Sequence, residues 1–176
     1  MKTSIALIGF MGTGKTAVGK ALAEKTGKKF IETDALVEKK AGKPIPMIFH
    51  EDGEVRFREL EIESVRDIAG SQNIVVACGG GVVLNQINVD RLRQESVIVY
   101  LTATPTVIMK RTARDKTVRP LLESTNAMQR IREMLRFRRP FYERAADITV
   151  DTARLDIDSV VDNISEQLKS YDSLNI

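Results

Sequence analysis

Residues 9–16 read Gly9-Phe10-Met11-Gly12-Thr13-Gly14-Lys15-Thr16, set between the apolar run Ile5-Ala6-Leu7-Ile8 and an amphipathic stretch over 15–25. Strand, glycine-rich loop and helix in that order form a G-x-x-x-x-G-K-[ST] phosphate loop, in which backbone N–H groups and a helix N-terminus converge on one anion. In this pattern the backbone of Gly12, Thr13, Gly14 and Ala17 cradles the phosphates, Lys15 reaches the outer ones, and the Thr16 hydroxyl ligates Mg²⁺. A bare glycine turn with a solvated lysine is the bland alternative. The coincidence of strand, loop and helix argues against it and for a nucleotide-binding enzyme.

Outward from the loop, short apolar runs recur at Ser4–Ile8, 29–31, 73–78, 96–101 and 147–150, each separated from the next by enough chain for a helix. This alternation predicts an α/β protein with a parallel sheet covered on both faces. Ala17, Val18, Ala21 and Leu22 make the inward stripe of the first helix, and Gly27 is its stop signal. Phe57, Leu60, Ser64, Val65 and Ile68 share a face of a helix ending at Gly70. A closing helix over 156–168 turns Val160, Val161, Ile164 and Leu168 inward.

Two stretches interrupt the alternation. Between Asp34 and Gly70 there is too much helical chain for one crossover, with Gly42-Lys43-Pro44 and Pro46 as breakers, so we expect a substrate-binding insertion over about 34–61 in a single domain spanning 1–176. Residues 112–125 are basic and poor in apolar side chains, and read either as a lid over the phosphates or as an ordinary solvated loop.

Composition narrows the function. The 176 residues are 43% hydrophobic and 29% charged, enough for one buried core. Lys plus Arg exceed Asp plus Glu by 27 − 24 = 3, and aromatics are only 5%, which suits small anionic ligands better than nucleic acid. The lone Cys78 excludes an intrachain disulfide, and no apolar run approaches membrane-spanning length, so we expect a cytoplasmic protein. His50 is the only histidine, which excludes a metal site built on several histidines.

Phosphoryl transfer needs a carboxylate near the acceptor and cations around the transferred group. Glu32 and Asp34 fall at the end of the second strand, where open α/β sheets bind ligands, and residues i and i+2 share a face there. Asp34 is a candidate base for an acceptor hydroxyl, or else merely the N-cap of a helix over 35–40. The charged run from Gly53 to Glu61 reads most simply as a solvated, salt-bridged helix face. Arg138 and Arg139, adjacent at an expected helix end before Pro140, invite an anion such as a carboxylate. Gly79-Gly80-Gly81 lets backbone approach a ligand with no side chain intervening. Cys78 reads as a small buried hydrophobe.

Taken together, these motifs resemble the shikimate kinase family, a P-loop group of nucleoside monophosphate kinase-like enzymes, nearly end to end. The matching segments are residues 9–16, Thr33-Asp34, Gly53-Glu54 with Phe57-Arg58 and Glu61, Gly79-Gly80-Gly81, Arg119-Pro120-Leu121-Leu122, and Arg138 with Pro140 and Tyr142. The resemblance implies a three-layer P-loop kinase fold with strand order 2-3-1-4-5. It also implies transfer of the ATP γ-phosphoryl group to the 3-hydroxyl of shikimate, with Mg²⁺, in aromatic amino acid biosynthesis, by a monomer that contacts neither nucleic acid nor membrane. Carried over by position, Asp34 holds the ring hydroxyls and acts as base, Arg58 and Arg138 clamp the substrate carboxylate, and Gly80 and Gly81 give backbone support. Phe49 and Phe57 line the substrate pocket, Arg119 closes with the lid on the transferring phosphate, and Arg111 and Arg154 lie against the adenine. Lys15 joins Asp34 and Arg119 as catalytic. The chain departs from the family pattern at Glu32, where aspartate is usual, and at Ala77, where a hydroxyl residue is common. A gluconate kinase and a noncatalytic nucleotide-binding protein are the rival readings. The combined substrate motifs argue against the first, and the candidate base and lid arginine against the second.

Overall fold

The central strands are buried along almost their whole length, as strands sandwiched between two helix layers must be. In the computed structural model, which describes residues 2–114 and 126–171, β1 (Ser4–Ile8) and β3 (Ile74–Ala77) are buried at every position, and β4 (Ser96–Thr102) at all but its last. β2 (Lys29–Glu32) and β5 (Ile148–Asp151) form the more open edges. All pairs are parallel and the order is β2-β3-β1-β4-β5, as the family resemblance implies. Residues 115–125, which include Arg119 and most of the expected lid, lie outside the described residues.

The period-two alternation of side chains divides the core. Ile5, Leu7, Val75, Val97 and Val99 face α1 (Lys15–Thr26) and α8 (Ile157–Lys169). Ala6, Ile8, Val76, Ile98 and Tyr100 share the other cluster with side chains of α4 (Gly53–Ile68), α5 (Gln86–Glu95) and α7 (Ala127–Ala145). A third, small cluster of Val37, Ile48, Phe57 and Leu60 joins α2 (Thr33–Ala41), α3 (Ile45–Glu51) and α4 to one another. Gly42, at φ 69°, stops α2, and the Pro44 and Pro46 pair starts α3. A further helix, α6 (Pro105–Arg114), follows β4.

Two local expectations are corrected. The inward face of α1 is Val18, Gly19, Leu22 and Ala23, whereas Ala17 is exposed and Ala21 only half-buried. The helix is rotated because Gly19 lets it press onto β1 and β2: a Cβ there would sit 2.6 Å from the Phe30 ring and 3.3 Å from a Leu7 methyl. Nor does a helix end before Pro140, since α7 runs through it to Ala145. An interior proline costs about 3 kcal/mol. Ile131, Met134 and Tyr142 are buried on the same helix, and burial stabilises by about 1.5–3 kcal/mol for each large apolar side chain, so packing wins.

Gly19→Val should therefore lower the unfolding free energy by about 2 kcal/mol in urea titrations, because the added branch must displace the Phe30 ring. An unchanged midpoint would mean that α1 can lift off the sheet at little cost.

Candidate active site

The carboxyl ends of β1, β2 and β3 open into a single cleft of about 620 Å³, which receives side chains from α1, α2, α3, α4, α6 and α7. At its floor, the loop after β1 turns on Gly9, Gly12 and Gly14, with φ of 145°, 76° and 95°. Gly14 ends the loop in the left-handed region and its carbonyl accepts the Val18 N–H, which starts α1 with no acidic side chain in its first turn. The N-terminal backbone donors of α1 are thus left for an anion. Gly12, Gly14, Lys15, Thr16 and Ala17 line the cleft. The Lys15 ammonium donates to the Gly9 and Phe10 carbonyls, both at 2.9 Å, lying back along its own loop. Thr13 is buried instead, its hydroxyl donating to the Phe10 carbonyl at 2.7 Å, so its side chain braces the loop.

Glu32 ends β2, and its carboxylate accepts the Thr16 hydroxyl at 2.5 Å. Its register partner across the sheet is Ala77, so the two departures from the family pattern stand side by side, the longer side chain beside the shorter. Asp34 is not an N-cap: that position falls to Glu32, and Asp34 sits in the first turn of α2, on the cleft wall. The buried Thr33 hydroxyl accepts the Gly79 N–H at 2.7 Å and so ties the ends of β2 and β3 together.

Gly79 brings two acids to one point. A Cβ on it would lie 2.5 Å from Asp34 Oδ1 and 3.0 Å from Glu61 Oε1. Glu61 is 1% exposed, and this overturns the reading of the Gly53–Glu61 run as a solvated face. Glu54, Arg56 and Glu59 do face solvent, but Arg58 and Glu61 turn inward and pair at 2.9 Å. The signal was present in the spacing: Glu61 falls four residues after Phe57 and three before Ser64, on the buried stripe. Burial pushes the Glu61 carboxyl up to about 7, against the pull of Arg58 and with a further push from Asp34.

Arg58 also binds Glu54 and lies over the Phe57 ring, which itself packs on Phe49 with centroids 4.7 Å apart. Phe49, Phe57 and Arg58 all line the cleft. Arg138 enters from α7, 5% exposed and set over the Phe10 ring. Its neighbour Arg139 points outward to an exposed pair with Glu143, so the expected double guanidinium site reduces to Arg138. Gly80 and Gly81 complete that wall. Arg111 reaches the cleft from α6, held flat by the Thr152 hydroxyl at 3.0 Å, the Thr152 carbonyl at 2.7 Å and the Gly12 carbonyl at 3.3 Å. Thr152, which sequence reading missed, also lies within hydrogen-bond reach of the Thr13 and Thr102 carbonyls. Arg154 is exposed two residues further on and is not brought to the cleft wall. Burial pushes the Cys78 thiol up to about 12, which leaves it inert.

Known proteins are similar to this chain along nearly its whole length. Residues 11–169 match the family model described as shikimate kinase. A shikimate kinase of Pelotomaculum thermopropionicum is 45% identical over 168 residues, covering 96% of each chain. The solved structure of the Acinetobacter baumannii shikimate kinase in complex with shikimate superposes with a TM-score of 0.92 at 36% identity, over 97% of this chain and 95% of that one. A gluconokinase from Sinorhizobium meliloti, at 20% identity and a TM-score of 0.58 over 97% of both chains, shares the fold alone.

The Glu61 carboxyl has a measurable consequence. Held near 7 in the folded state and near 4.5 when unfolded, it binds more protons folded, so wild-type stability falls as pH rises through that window. The Tm of Glu61→Gln relative to wild type should therefore climb between about pH 4.5 and 7. A constant offset across the window would show that Glu61 titrates as an ordinary carboxylate.

Proposed function

The chain belongs to the shikimate kinase family, and on that premise we propose how its cleft carries the γ-phosphoryl group of ATP to the 3-hydroxyl of shikimate. One observation carries the division of labour. The phosphate loop lines the same cleft as Asp34, Arg58 and Arg138, which gather around the Gly79–Gly81 turn. Shikimate is a carboxylate bearing three hydroxyls, and this wall offers two cations and an acceptor in one place.

In this reading the backbone of residues 12–17 and the Lys15 ammonium hold the ATP phosphates, and Lys15 leaves its loop carbonyls to do so. The fixed plane of Arg111 lies beside the adenine. Arg58 and Arg138 take the substrate carboxylate, Phe49 and Phe57 exclude water from the ring, and residues 34–61 act as the substrate-binding part of a single domain. Asp34 orients the acceptor hydroxyl and receives its proton as the oxygen attacks phosphorus. Arg119, by its place in the family motif, neutralises charge on the transferring group.

The residues also fit Mg²⁺. Among the described residues no cluster of three acidic, histidine or cysteine side chains forms a metal cage. Thr16 and Glu32 provide an all-oxygen pair at the mouth of the phosphate loop, which suits an ion that keeps waters and substrate oxygens as most of its ligands. Bound there, the ion neutralises charge on the phosphate oxygens. The same reading has the enzyme act as a cytoplasmic monomer on ATP and shikimate, without nucleic acid or membrane. No helix among the described residues is long and apolar enough to cross a bilayer.

The deciding experiment is ADP release from MgATP with shikimate, gluconate or no acceptor. Release that requires shikimate is the expected result; release with gluconate alone would reassign the acceptor. In the same assay Asp34→Asn should lower kcat by at least 10²-fold, in the range of lost general-base catalysis, while the ATP KM stays nearly constant. Equal loss of both would remove Asp34 from the acceptor side.

A further inference from the structure

The Gly79–Gly81 turn is braced from behind by a side chain to which the reaction assigns no role. The Gly79 carbonyl accepts the Val82 N–H at 3.1 Å, and the Gly81 carbonyl accepts the Leu84 N–H at 3.0 Å. Between them the Gly80 carbonyl accepts the Tyr142 hydroxyl at 2.5 Å. That hydroxyl belongs to a fully buried side chain whose ring stacks on Tyr100, with centroids 5.0 Å apart and planes 19° apart. Burial raises its pKa far above neutrality, despite the opposing pull of Arg138, so the group remains a donor across the working range.

A trans peptide is planar and sets its carbonyl and N–H on opposite edges. A hydroxyl that holds the Gly80 carbonyl therefore also sets the direction of the Gly81 N–H, turned away from Tyr142, in a turn whose glycines both line the cleft. Each of the two glycines has a guanidinium close by. A Cβ on Gly81 would fall 2.0 Å from Arg58 Nη1, and one on Gly80 would fall 3.6 Å from Arg138 Nη1. Arg138 and Tyr142 are four residues apart on one face of α7, so a single helix delivers a cation to the cleft and a brace behind its wall.

We propose that Tyr142 is a positioning residue for the acceptor carboxylate: by clamping the Gly80 carbonyl it aims the Gly81 N–H at the anion held between Arg58 and Arg138. This inference rests on the carboxylate clamp proposed above, and a structural tyrosine that only fills the core would behave differently.

Tyr142→Phe keeps the stacked ring and removes the hydroxyl. It should raise the shikimate KM about tenfold, the loss expected for one well-placed hydrogen bond, while the ATP KM stays within about twofold. Toward the analogue with the carboxylate reduced to an alcohol, the variant and the wild type should differ by less than about twofold. A fall in Tm with both KM values unchanged, or a rise shared equally by ATP and shikimate, would overturn the proposal. Arg138→Ala separates the two ideas. If it raises the shikimate KM by about 10²-fold and Tyr142→Phe does not raise it, only the Tyr142 role is wrong; if neither does, the clamp is wrong and this role falls with it. Should Tyr142→Phe fail to fold, the wild-type Gly81 amide resonance serves: it should shift with shikimate and stay in place with ATP alone. No shift with shikimate would overturn the proposal as well.

Discussion

Two carboxyl groups, those of Asp34 and Glu61, come so close to Gly79 that a side chain there would have to push them aside. The bare backbone at the end of β3 leaves both acids in place, and much of the site follows from that. With no side chains on residues 79–81, α4 can lay Arg58 against Gly81, and α7 can bring Arg138 to Gly80. The Thr33 hydroxyl then pins the Gly79 N–H, which fixes the end of β2, and with it Glu32 and Asp34, relative to the turn.

Charge is distributed in the cleft by burial more than by count. Arg58 is partly neutralised by Glu54 and by the ionised form of Glu61, whereas among the described residues no carboxylate forms an ion pair with the buried Arg138. A buried guanidinium of that kind favours an incoming anion, because desolvation has already been met by the fold. Glu61 is the opposite case. A carboxyl near 7 can hold a proton at neutral pH, which limits the negative charge beside Asp34 where an anionic substrate must enter.

Legibility differed between elements for physical reasons. The strand runs, the loop over 9–16 and the stop at Gly27 are local signals, and the structure holds them where the residues indicate. Pro140 misled because a local rule met a long buried stripe on α7 that outweighs it. The inward face of α1 was misread by one position because only the approach of Phe30 to Gly19, residues from different elements, sets the helix rotation. Glu61 lay on a readable stripe, but its charge argued for solvent. Thr152 and Tyr142 act through carbonyl groups distant in sequence, at Thr13, Thr102 and Gly80, and no periodicity encodes such a contact.

By itself the sequence determined the α/β alternation, the phosphate loop and, through several motifs in order, the family and the residue types its substrates need. Those features depend on neighbours a few positions away, or on identities that a linear pattern records. Tertiary structure alone decided that Glu61 is buried, that Arg139 pairs outward with Glu143, and that Glu32 reaches Thr16 beside the small Ala77. Each of these outcomes is set by how helices from distant parts of the chain pack against the carboxyl ends of the strands, where burial and distance, and not residue type, fix what a charge can do.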